Sequence, residues 1–303
     1  MTGGAGNVGG SLAARLAEDG SNFVVVVDDL STGSAEKLPH RELRNWKFIK
    51  ADVNALSDLS AIMLAYRFDY VFHYAAVVGV KRTLENPIRV LNDIQGIRNI
   101  LDLSKNTGVN RVFFSSSSEV YGEPVSLPQH EELTPLNSRL PYAIVKNVGE
   151  SFFRSYQKEY GLDYTIFRFF NTYGPRQSED FVITRFIRAA LRGNDITIYG
   201  DGMQTRTFCY VDDNVDVTTT AMLRKEAVNE TFNVGNDQEV TILDLAKAIV
   251  AAAGSKSKIV HLPPLAEGDM TRRQPDISKM RALLGRPLIT LDEGIRRLLV
   301  TFR

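Results

Sequence analysis

Two kinds of segment alternate along the first 170 residues of the chain. Short apolar runs rich in β-branched and aromatic residues are typical of buried strands. They lie at 23–27, 47–49, 70–74, 111–114 and 164–170. Between them, apolar residues recur at helical spacing over 8–16, 56–65, 88–103 and 142–160. Strands that alternate with helices form parallel crossovers, so the pattern predicts an α/β fold with a doubly wound parallel sheet.

The pattern changes after residue 170. Loops lengthen over 171–180 and 262–275, strands become isolated, and helical spacing returns at 181–192 and 242–253. Because no Gly/Ser linker separates the two parts, we expect two tightly packed lobes with a cleft between them. The first lobe is predicted to comprise 1–170 and about 207–226, and the second, a smaller substrate-binding lobe, 171–206 and 227–303.

Composition limits the possible classes of protein. The 36 Lys and Arg residues balance 36 Asp and Glu residues, so no net positive charge favours binding to nucleic acid. The chain has neither an apolar stretch long enough to span a membrane nor a secretion signal, and we expect a cytoplasmic protein. The four histidines lack the spacing of metal ligands, and Cys209 is predicted to be a buried apolar residue rather than a reactive thiol.

A glycine-rich turn precedes the first helical segment. Gly3, Gly6 and Gly9 are three residues apart, and a valine run 19 residues later ends in Asp28. Such glycines let the backbone approach a pyrophosphate, while the helix N-terminus supplies N–H groups and the acid accepts from ribose hydroxyls. The spacing therefore predicts a Rossmann-type dinucleotide site that includes Asn7 and Val8. The Asp28 carboxylate repels a 2′-phosphate and favours NAD over NADP.

A tight strand-to-helix turn is the alternative explanation for these glycines. A buried strand of about five residues should precede such a turn, and none stands before Gly3. We therefore expect that native residues precede Met1; otherwise the centre of the sheet would be unfilled. Asp52, after the third strand, is a candidate contact to adenine or a turn-forming aspartate, and Ala75 is the last predicted cofactor contact.

Tyr142 and Lys146 are four residues apart on a predicted helix and share one face. The ordinary pKa of a phenol is about 10, and we expect the ammonium and a positive nicotinamide ring to lower it. Tyrosinate could then accept a hydroxyl proton. Because this spacing is common, a surface pair is the alternative. The serine cluster 115–118 supports a site, since it follows a strand at the edge where ligands bind.

Taken together, these motifs resemble the extended short-chain dehydrogenase/reductases, NAD-dependent enzymes that act on nucleotide sugars. The resemblance extends over essentially the whole chain and includes the segments 115–122, 171–176 and 199–206. It implies that Tyr142 removes the proton of the sugar 4-hydroxyl while hydride leaves C4 for NAD⁺. It further implies that Ser117 relays this proton and that Lys146 holds the nicotinamide ribose.

The resemblance also implies the partners of the chain. Asn171, Arg206 and either Arg272 or Arg273 would bind the diphosphate or sugar of a nucleotide sugar, most readily a UDP-sugar, because guanidinium groups grip two oxygens. The alternatives are a turn residue at Asn171 and a solvated charge at Arg206. By analogy with similar enzymes, the helices around 92–103 and 141–160 are expected to form a homodimer interface.

Three reactions share the oxidation at C4. A 4-epimerase needs only Ser117, Tyr142 and room for the ketone to turn over. A 4,6-dehydratase needs a base, for which Glu119 would serve, and an acid, for which Ser118 is weak. In a hexuronate decarboxylase the ketone is β to the carboxylate, so CO₂ departs readily, and Ser118, Glu119 and a cation fit this chemistry.

Further segments bear on the choice. Residues 204–213, 233–246 and 273–279 resemble UDP-glucuronate decarboxylases, whereas 139–146 resembles epimerases and dehydratases. We therefore expect a UDP-glucuronate decarboxylase, with a UDP-hexose or UDP-hexuronate 4-epimerase as the nearest alternative and a 4,6-dehydratase after it. A scaffold that senses NAD is the non-enzymatic alternative, although such proteins usually lack the tyrosine and lysine.

Overall fold

The computed structural model describes residues 1–79, 83, 85–264 and 273–302. In chain order the helices are α1 (Asn7–Glu18), α2 (Leu56–Ala65), α3 (Pro87–Thr107), α4 (Pro141–Tyr160), α5 (Val182–Leu191), α6 (Val211–Leu223), α7 (Ile242–Ala253), α8 (Ser278–Leu284) and α9 (Leu291–Phe302). The strands are β1 (Val24–Asp28), β2 (Trp46–Lys50), β3 (Tyr70–His73), β4 (Arg111–Ser117), β5 (Asp163–Phe169), β6 (Thr172–Tyr173), β7 (Ile196–Tyr199), β8 (Thr205–Thr207), β9 (Cys209–Tyr210), β10 (Glu230–Val234), β11 (Glu239–Thr241) and β12 (Ile259–Leu262). Short 3-10 helices lie at Ala35–Lys37, Ser118–Tyr121 and Lys225–Ala227.

A parallel sheet forms the framework of the first lobe. Strand β1 pairs with β2, and the strands β10, β5, β4 and β3 pair in that order. Thr2 joins the two groups through parallel bridges to Val27 on β1 and His73 on β3. Helices connect successive strands, so the predicted Rossmann-type, doubly wound α/β fold is confirmed.

Residues 1–3 lie at the centre of this sheet. The Val27 amide donates to the Met1 carbonyl at 2.8 Å, and the Thr2 amide donates to the Phe72 carbonyl at 2.9 Å. The Gly3 amide then donates to the Val27 carbonyl at 2.9 Å. These bonds place the glycine turn at the carboxyl edge of the sheet, where the strand order reverses. That residues precede Met1 stays a prediction.

The central strands are buried because helices cover both faces of the sheet. Every residue of β1 and β4 is buried. Strand β2 differs: Trp46, Phe48 and Ile49 are half-buried, while Lys47 and Lys50 are exposed. In the described part of the chain β2 pairs with β1 alone, so it is an edge strand. The prediction of a buried strand is therefore wrong for this segment.

The second lobe contains smaller sheets and the helices α5, α7 and α9. Strand β12 pairs parallel with β7, and β11 pairs antiparallel with β8. Its core includes the buried residues Phe186, Ile198, Leu245 and Leu298. Strand β10 lies in the first sheet beside β5, although the predicted boundary places 227–303 in the second lobe. For this strand the predicted boundary differs from the structure.

Cys209 lies on β9 and is fully buried. Burial raises the pKa of its thiol well above the ordinary value, which disfavours the reactive thiolate. The side chain therefore behaves as the apolar residue that the sequence predicts. Within the described residues, the structure contains no helix with the length and apolar character that crossing a membrane requires.

Candidate active site

A cavity of about 690 Å³ opens at the carboxyl edge of the first sheet. This edge is where open parallel sheets bind ligands. All the predicted cofactor residues line the cavity: Gly3, Gly6, Asn7, Val8, Gly9, Asp28, Asp52, Ala75 and Lys146. So do the predicted residues of the sugar side, namely Ser117, Ser118, Glu119, Tyr142, Asn171 and Arg273. The topology therefore brings the two predicted sets together in one space.

Two predicted sugar contacts are not brought there. The described lining of the cavity does not include Arg206, which lies on β8, and its Nη1 donates to the Thr205 carbonyl at 2.7 Å. Arg272 lies outside the described residues. Asn171 lines the cavity, and its Nδ2 donates to the Thr207 carbonyl at 3.0 Å.

The glycine turn leaves no space for side chains. Gly3 has a φ of 69°, in the left-handed region, and a Cβ there would lie 2.5 Å from the Ala75 nitrogen. A Cβ on Gly9 would collide with the Gly3 carbonyl. Helix α1 then begins at Asn7, and in the described structure no side chain caps its first N–H groups. The turn and the helix terminus fit the diphosphate of a dinucleotide.

Asp28 occupies the end of β1 next to this turn. Its Oδ2 accepts from the Ala5 amide at 3.0 Å and its Oδ1 accepts from the Leu30 amide at 2.9 Å. The carboxylate is thereby fixed beside the cavity, and each oxygen keeps a lone pair for a further donor. This arrangement fits a ribose with two free hydroxyls, and hence NAD.

Tyr142 reaches the cavity because α4 begins just before it. Pro141 occupies the first turn of α4, where its fixed φ suits the helix and its missing N–H costs nothing. The Ser117 hydroxyl, at the end of β4, forms a hydrogen bond to the Tyr142 phenol. The Lys146 Nζ lies 5.7 Å from the Tyr142 ring centroid and 3.5 Å from Ser115 Oγ.

The pKa of Tyr142 differs from the expectation that its neighbours lower it. Burial raises this pKa, and the negative charge of Glu119 raises it further. The hydrogen bond from Ser117 and the charge of Arg273 lower it by less. Desolvation of the phenolate thus outweighs the nearby cations. The predicted lowering is wrong for the protein alone.

Lys146 is 2% exposed, and burial lowers the pKa of its ammonium from 10.5 to about 8. The negative charge of Asp93 opposes this shift. Since the unfolded chain then binds more protons than the folded chain above this pH, burial of Lys146 destabilises the fold less as the pH rises.

Wild type is therefore expected to gain about 1 kcal/mol of unfolding free energy per pH unit over Lys146→Met between about pH 8 and pH 10. Urea unfolding of both cofactor-free proteins across this range measures the difference. The Lys146→Met reference cancels the other titrating groups. A difference that stays constant with pH would show that Lys146 keeps its ordinary pKa.

Glu119 and Arg273 form an ion pair in the cavity. Arg273 Nη2 lies 2.7 Å from Glu119 Oε2, and Arg273 Nη1 donates to Ser118 Oγ at 3.2 Å. The Glu119 amide donates to Ser117 Oγ at 3.2 Å, so the pair is joined directly to the serine that contacts Tyr142. The side chain of Arg273 is 8% exposed and that of Glu119 is 22% exposed. Their interaction is therefore only weakly screened by water.

The sequence reasoning missed Asp93, a buried carboxylate on α3 that lines the cavity. The Val77 amide donates to Asp93 Oδ2 at 2.8 Å. Burial raises the pKa of Asp93, while this hydrogen bond and the charge of Lys146 oppose the shift. A signal was available, because Asp93 lies at helical spacing from the buried Val90 and Ile97, and an acid on an apolar helix face needs an explanation.

Comparison with known proteins agrees with this geometry. The family model described as "NAD dependent epimerase/dehydratase family" matches residues 1–235. A UDP-N-acetyl-alpha-D-glucosaminuronate decarboxylase of Bacillus cytotoxicus is 38% identical, with 100% of this chain and 97% of that protein covered. A UDP-glucose 4-epimerase of Mycolicibacterium smegmatis is 35% identical, with 100% and 97% covered.

Solved structures share the fold over nearly the whole chain. The UDP-glucose 4-epimerase of Thermotoga maritima, solved with UDP-glucose, superposes with a TM-score of 0.92 at 34% identity, and 99% of this chain and 97% of that chain are covered. The UDP-glucuronic acid 4-epimerase of Bacillus cereus, in complex with UDP-glucuronic acid and NAD, gives 0.89 at 29% identity, with 100% and 98% covered.

Proposed function

Because the chain belongs to the NAD-dependent epimerase/dehydratase family, we propose that this enzyme oxidises C4 of a UDP-hexuronate and decarboxylates it, with UDP-glucuronate as the first candidate substrate. The coarser statement needs no proposal: the protein is an NAD-dependent enzyme of nucleotide sugars. The observation that carries the finer one is the Arg273 guanidinium, buried beside Tyr142 and Ser117 and bound to Glu119 and Ser118.

The cofactor residues divide by the part of NAD they would hold. The glycine turn and the start of α1 would hold the diphosphate, Asp28 the adenosine ribose, and Lys146 the nicotinamide ribose. When bound, NAD⁺ supplies a hydride acceptor and a positively charged ring. The cradle would exclude a side chain at Gly3 or Gly9, which is why the fit depends on those glycines.

Tyr142 is proposed to take the proton of the sugar 4-hydroxyl. Burial raises the pKa of its phenol, so the phenolate depends on neighbouring positive charge, which Lys146 provides. The hydroxyl of Ser117 accepts from the Glu119 amide and bonds to the phenol, which leaves it placed to relay the proton. These residues serve every reaction of the family and do not select among them.

Arg273 provides the cation that decarboxylation requires. The guanidinium fork binds the C6 carboxylate; once C4 is a ketone, the C5–C6 bond breaks, CO₂ leaves, and the electron pair moves to the C4 oxygen as an enolate. A proton then adds at C5. Because the carboxylate loses its charge in this step, too strong a grip would favour the ground state. Glu119, which already shares the guanidinium, weakens that grip.

A UDP-hexose or UDP-hexuronate 4-epimerase is the second candidate. It requires Ser117, Tyr142 and room for the ketone to turn, and the cavity of about 690 Å³ provides room for a nucleotide sugar beside the cofactor. The relatives and neighbours include both decarboxylases and epimerases, so likeness alone favours neither. A 4,6-dehydratase is less favoured because the Ser118 hydroxyl is a weak acid.

The deciding experiment incubates the purified protein separately with UDP-glucuronate, UDP-N-acetylglucosaminuronate and UDP-glucose, followed by mass spectrometry and NMR. We expect a uronate to lose the mass of CO₂. Loss of the mass of water would indicate a dehydratase. An unchanged mass with a new set of anomeric signals would indicate an epimerase and would refute the decarboxylase proposal.

Glu119→Gln is expected to lower the rate of CO₂ loss by about a hundredfold, because the variant loses both the charge that orients Arg273 and an ionisable group near the sugar. The matched control is Glu123→Gln, an exposed glutamate four residues later, which should decarboxylate like wild type. The rate of pentose formation measures both variants. Unaltered turnover of the Glu119 variant would favour the epimerase.

A further inference from the structure

We propose that Asn233 is a positioning residue that holds Arg273 in register with the segment carrying Ser118 and Glu119. The inference deepens the proposed function, on which it rests insofar as Arg273 binds the substrate carboxylate. Asn233 lies on β10, is fully buried, and belongs to a motif that the cofactor and sugar chemistry leaves unexplained.

Asn233 uses its backbone and both ends of its amide to join three segments. Its backbone N–H donates to Glu131 Oε1 at 2.8 Å. Its Nδ2 donates to the Gln129 carbonyl at 2.8 Å and to the Asp276 carbonyl at 3.1 Å. Its Oδ1 accepts from the Tyr121 hydroxyl at 2.7 Å. One buried amide thus links the end of the 3-10 helix Ser118–Tyr121 to the segment that follows Arg273.

The segment that carries Arg273 is attached to the same place a second time. Gln129 forms a parallel bridge with Pro275. The Gln129 amide donates to the Gln274 carbonyl at 2.7 Å, and the Asp276 amide donates to the Gln129 carbonyl at 2.8 Å. From this fixed backbone the Arg273 side chain extends to the first residues of the 3-10 helix. Both ends of that short helix are therefore tied to the segment 273–276.

The network continues behind the site to the helix of the proposed base. Arg168 Nη1 donates to the Tyr121 hydroxyl at 2.8 Å, so this hydroxyl stands between Arg168 and Asn233. Arg168 binds both carboxylate oxygens of Glu150 on α4, and Ser116 Oγ donates to Glu150 Oε1 at 2.6 Å. Since these groups are buried and fully engaged, they hold β4, α4 and the Arg273 segment in one arrangement.

This arrangement bears on which product the enzyme releases. Oxidation at C4 needs Tyr142 and Ser117, whereas loss of CO₂ also needs Arg273 placed on the carboxylate. Weakening the Asn233 network should leave the first step intact and slow the second. The 4-keto uronate, with its C5–C6 bond still unbroken, would then leave the enzyme before it loses CO₂, and its hydride would remain on the reduced cofactor.

The test compares Asn233→Ala and Tyr121→Phe with Tyr156→Phe, all as NAD-bound enzyme. Tyr156 is the matched control, because its hydroxyl also donates one hydrogen bond of 2.8 Å, to Asp102, away from the site. Hydrogen–deuterium exchange of the amides in 273–277 is expected to rise about fivefold in Asn233→Ala, the factor for one lost hydrogen bond, and less in Tyr121→Phe. The control should match wild type.

With UDP-glucuronate, the ratio of released 4-keto uronate to pentose is expected to rise by about fivefold in Asn233→Ala, while formation of reduced nicotinamide stays within about twofold of wild type. If Asn233→Ala does not fold, Tyr121→Phe decides, because phenylalanine keeps the ring packing. Lower thermal stability with unchanged exchange and an unchanged ratio would show a purely structural role and overturn the inference.

The two proposals fail separately. If the wild type forms no pentose from any uronate, the decarboxylase proposal fails. The exchange measurement needs no substrate, so it would still support or overturn the positioning of Arg273 by Asn233.

Discussion

Tyr142→Phe is expected to lower kcat by about a thousandfold, the upper part of the range for a proton-transfer group. Phenylalanine keeps the ring in its place at the start of α4 and removes only the hydroxyl that bonds to Ser117. Without that oxygen nothing in the proposed site can take the 4-hydroxyl proton, because the Lys146 ammonium is a donor. The loss should appear with every sugar nucleotide that the wild type accepts.

The measurement combines turnover with the NAD content of the purified variant. NAD content is expected to match wild type, since the glycine turn, Asp28 and Lys146 are unchanged. Tyr160→Phe, at the exposed end of the same helix, is the control and should turn over normally. A Tyr142 variant that keeps more than about a tenth of the activity would assign the proton transfer to another group.

Arg168→Met is expected to lower the unfolding free energy by about 3–5 kcal/mol. The Arg168 and Glu150 side chains are 1% and 0% exposed. Burial alone would raise the pKa of Glu150, but the hydrogen bonds and charge of Arg168, with help from Ser116 and Arg154, lower it instead. Removing Arg168 leaves a buried carboxylate that has lost both bonds of a bidentate pair.

Urea unfolding at neutral pH measures this loss. The control is Arg154→Met, because Arg154 contacts the same Glu150 oxygen at 2.9 Å but is 43% exposed, and its removal should cost under about 1 kcal/mol. The defect of Arg168→Met should shrink toward pH 5, since the unpaired Glu150 gains a raised pKa and can take up a proton. Equal losses in the two variants would show that the buried pair contributes no more than a surface one.

Much of the fold is predictable because local pattern and burial agree. The helical spacing over 56–65 and 242–253 reproduces α2 and α7 to the residue, and the valine run is the fully buried β1. The edge position of β2 could not be predicted, because burial on two sides depends on neighbours that the sequence of one strand does not specify.

The cofactor side of the site was predictable because its residues lie in short motifs with fixed geometry. The pair of Glu119 and Arg273 was not, since 154 residues separate the two and only the folded chain joins them. The direction of the Tyr142 pKa was missed because desolvation depends on packing, which spacing does not report. The predicted homodimer stays a prediction.

Strand β2 also bears on how the protein behaves at high concentration. An open strand offers unpaired backbone groups to any other extended chain, and native sheets often guard such strands with lysine. Lys47 and Lys50 are the exposed residues of β2. A second molecule that added its own strand there would have to bring like charges together. These two side chains should therefore help to keep neighbouring molecules from joining sheet to sheet during crowding or storage.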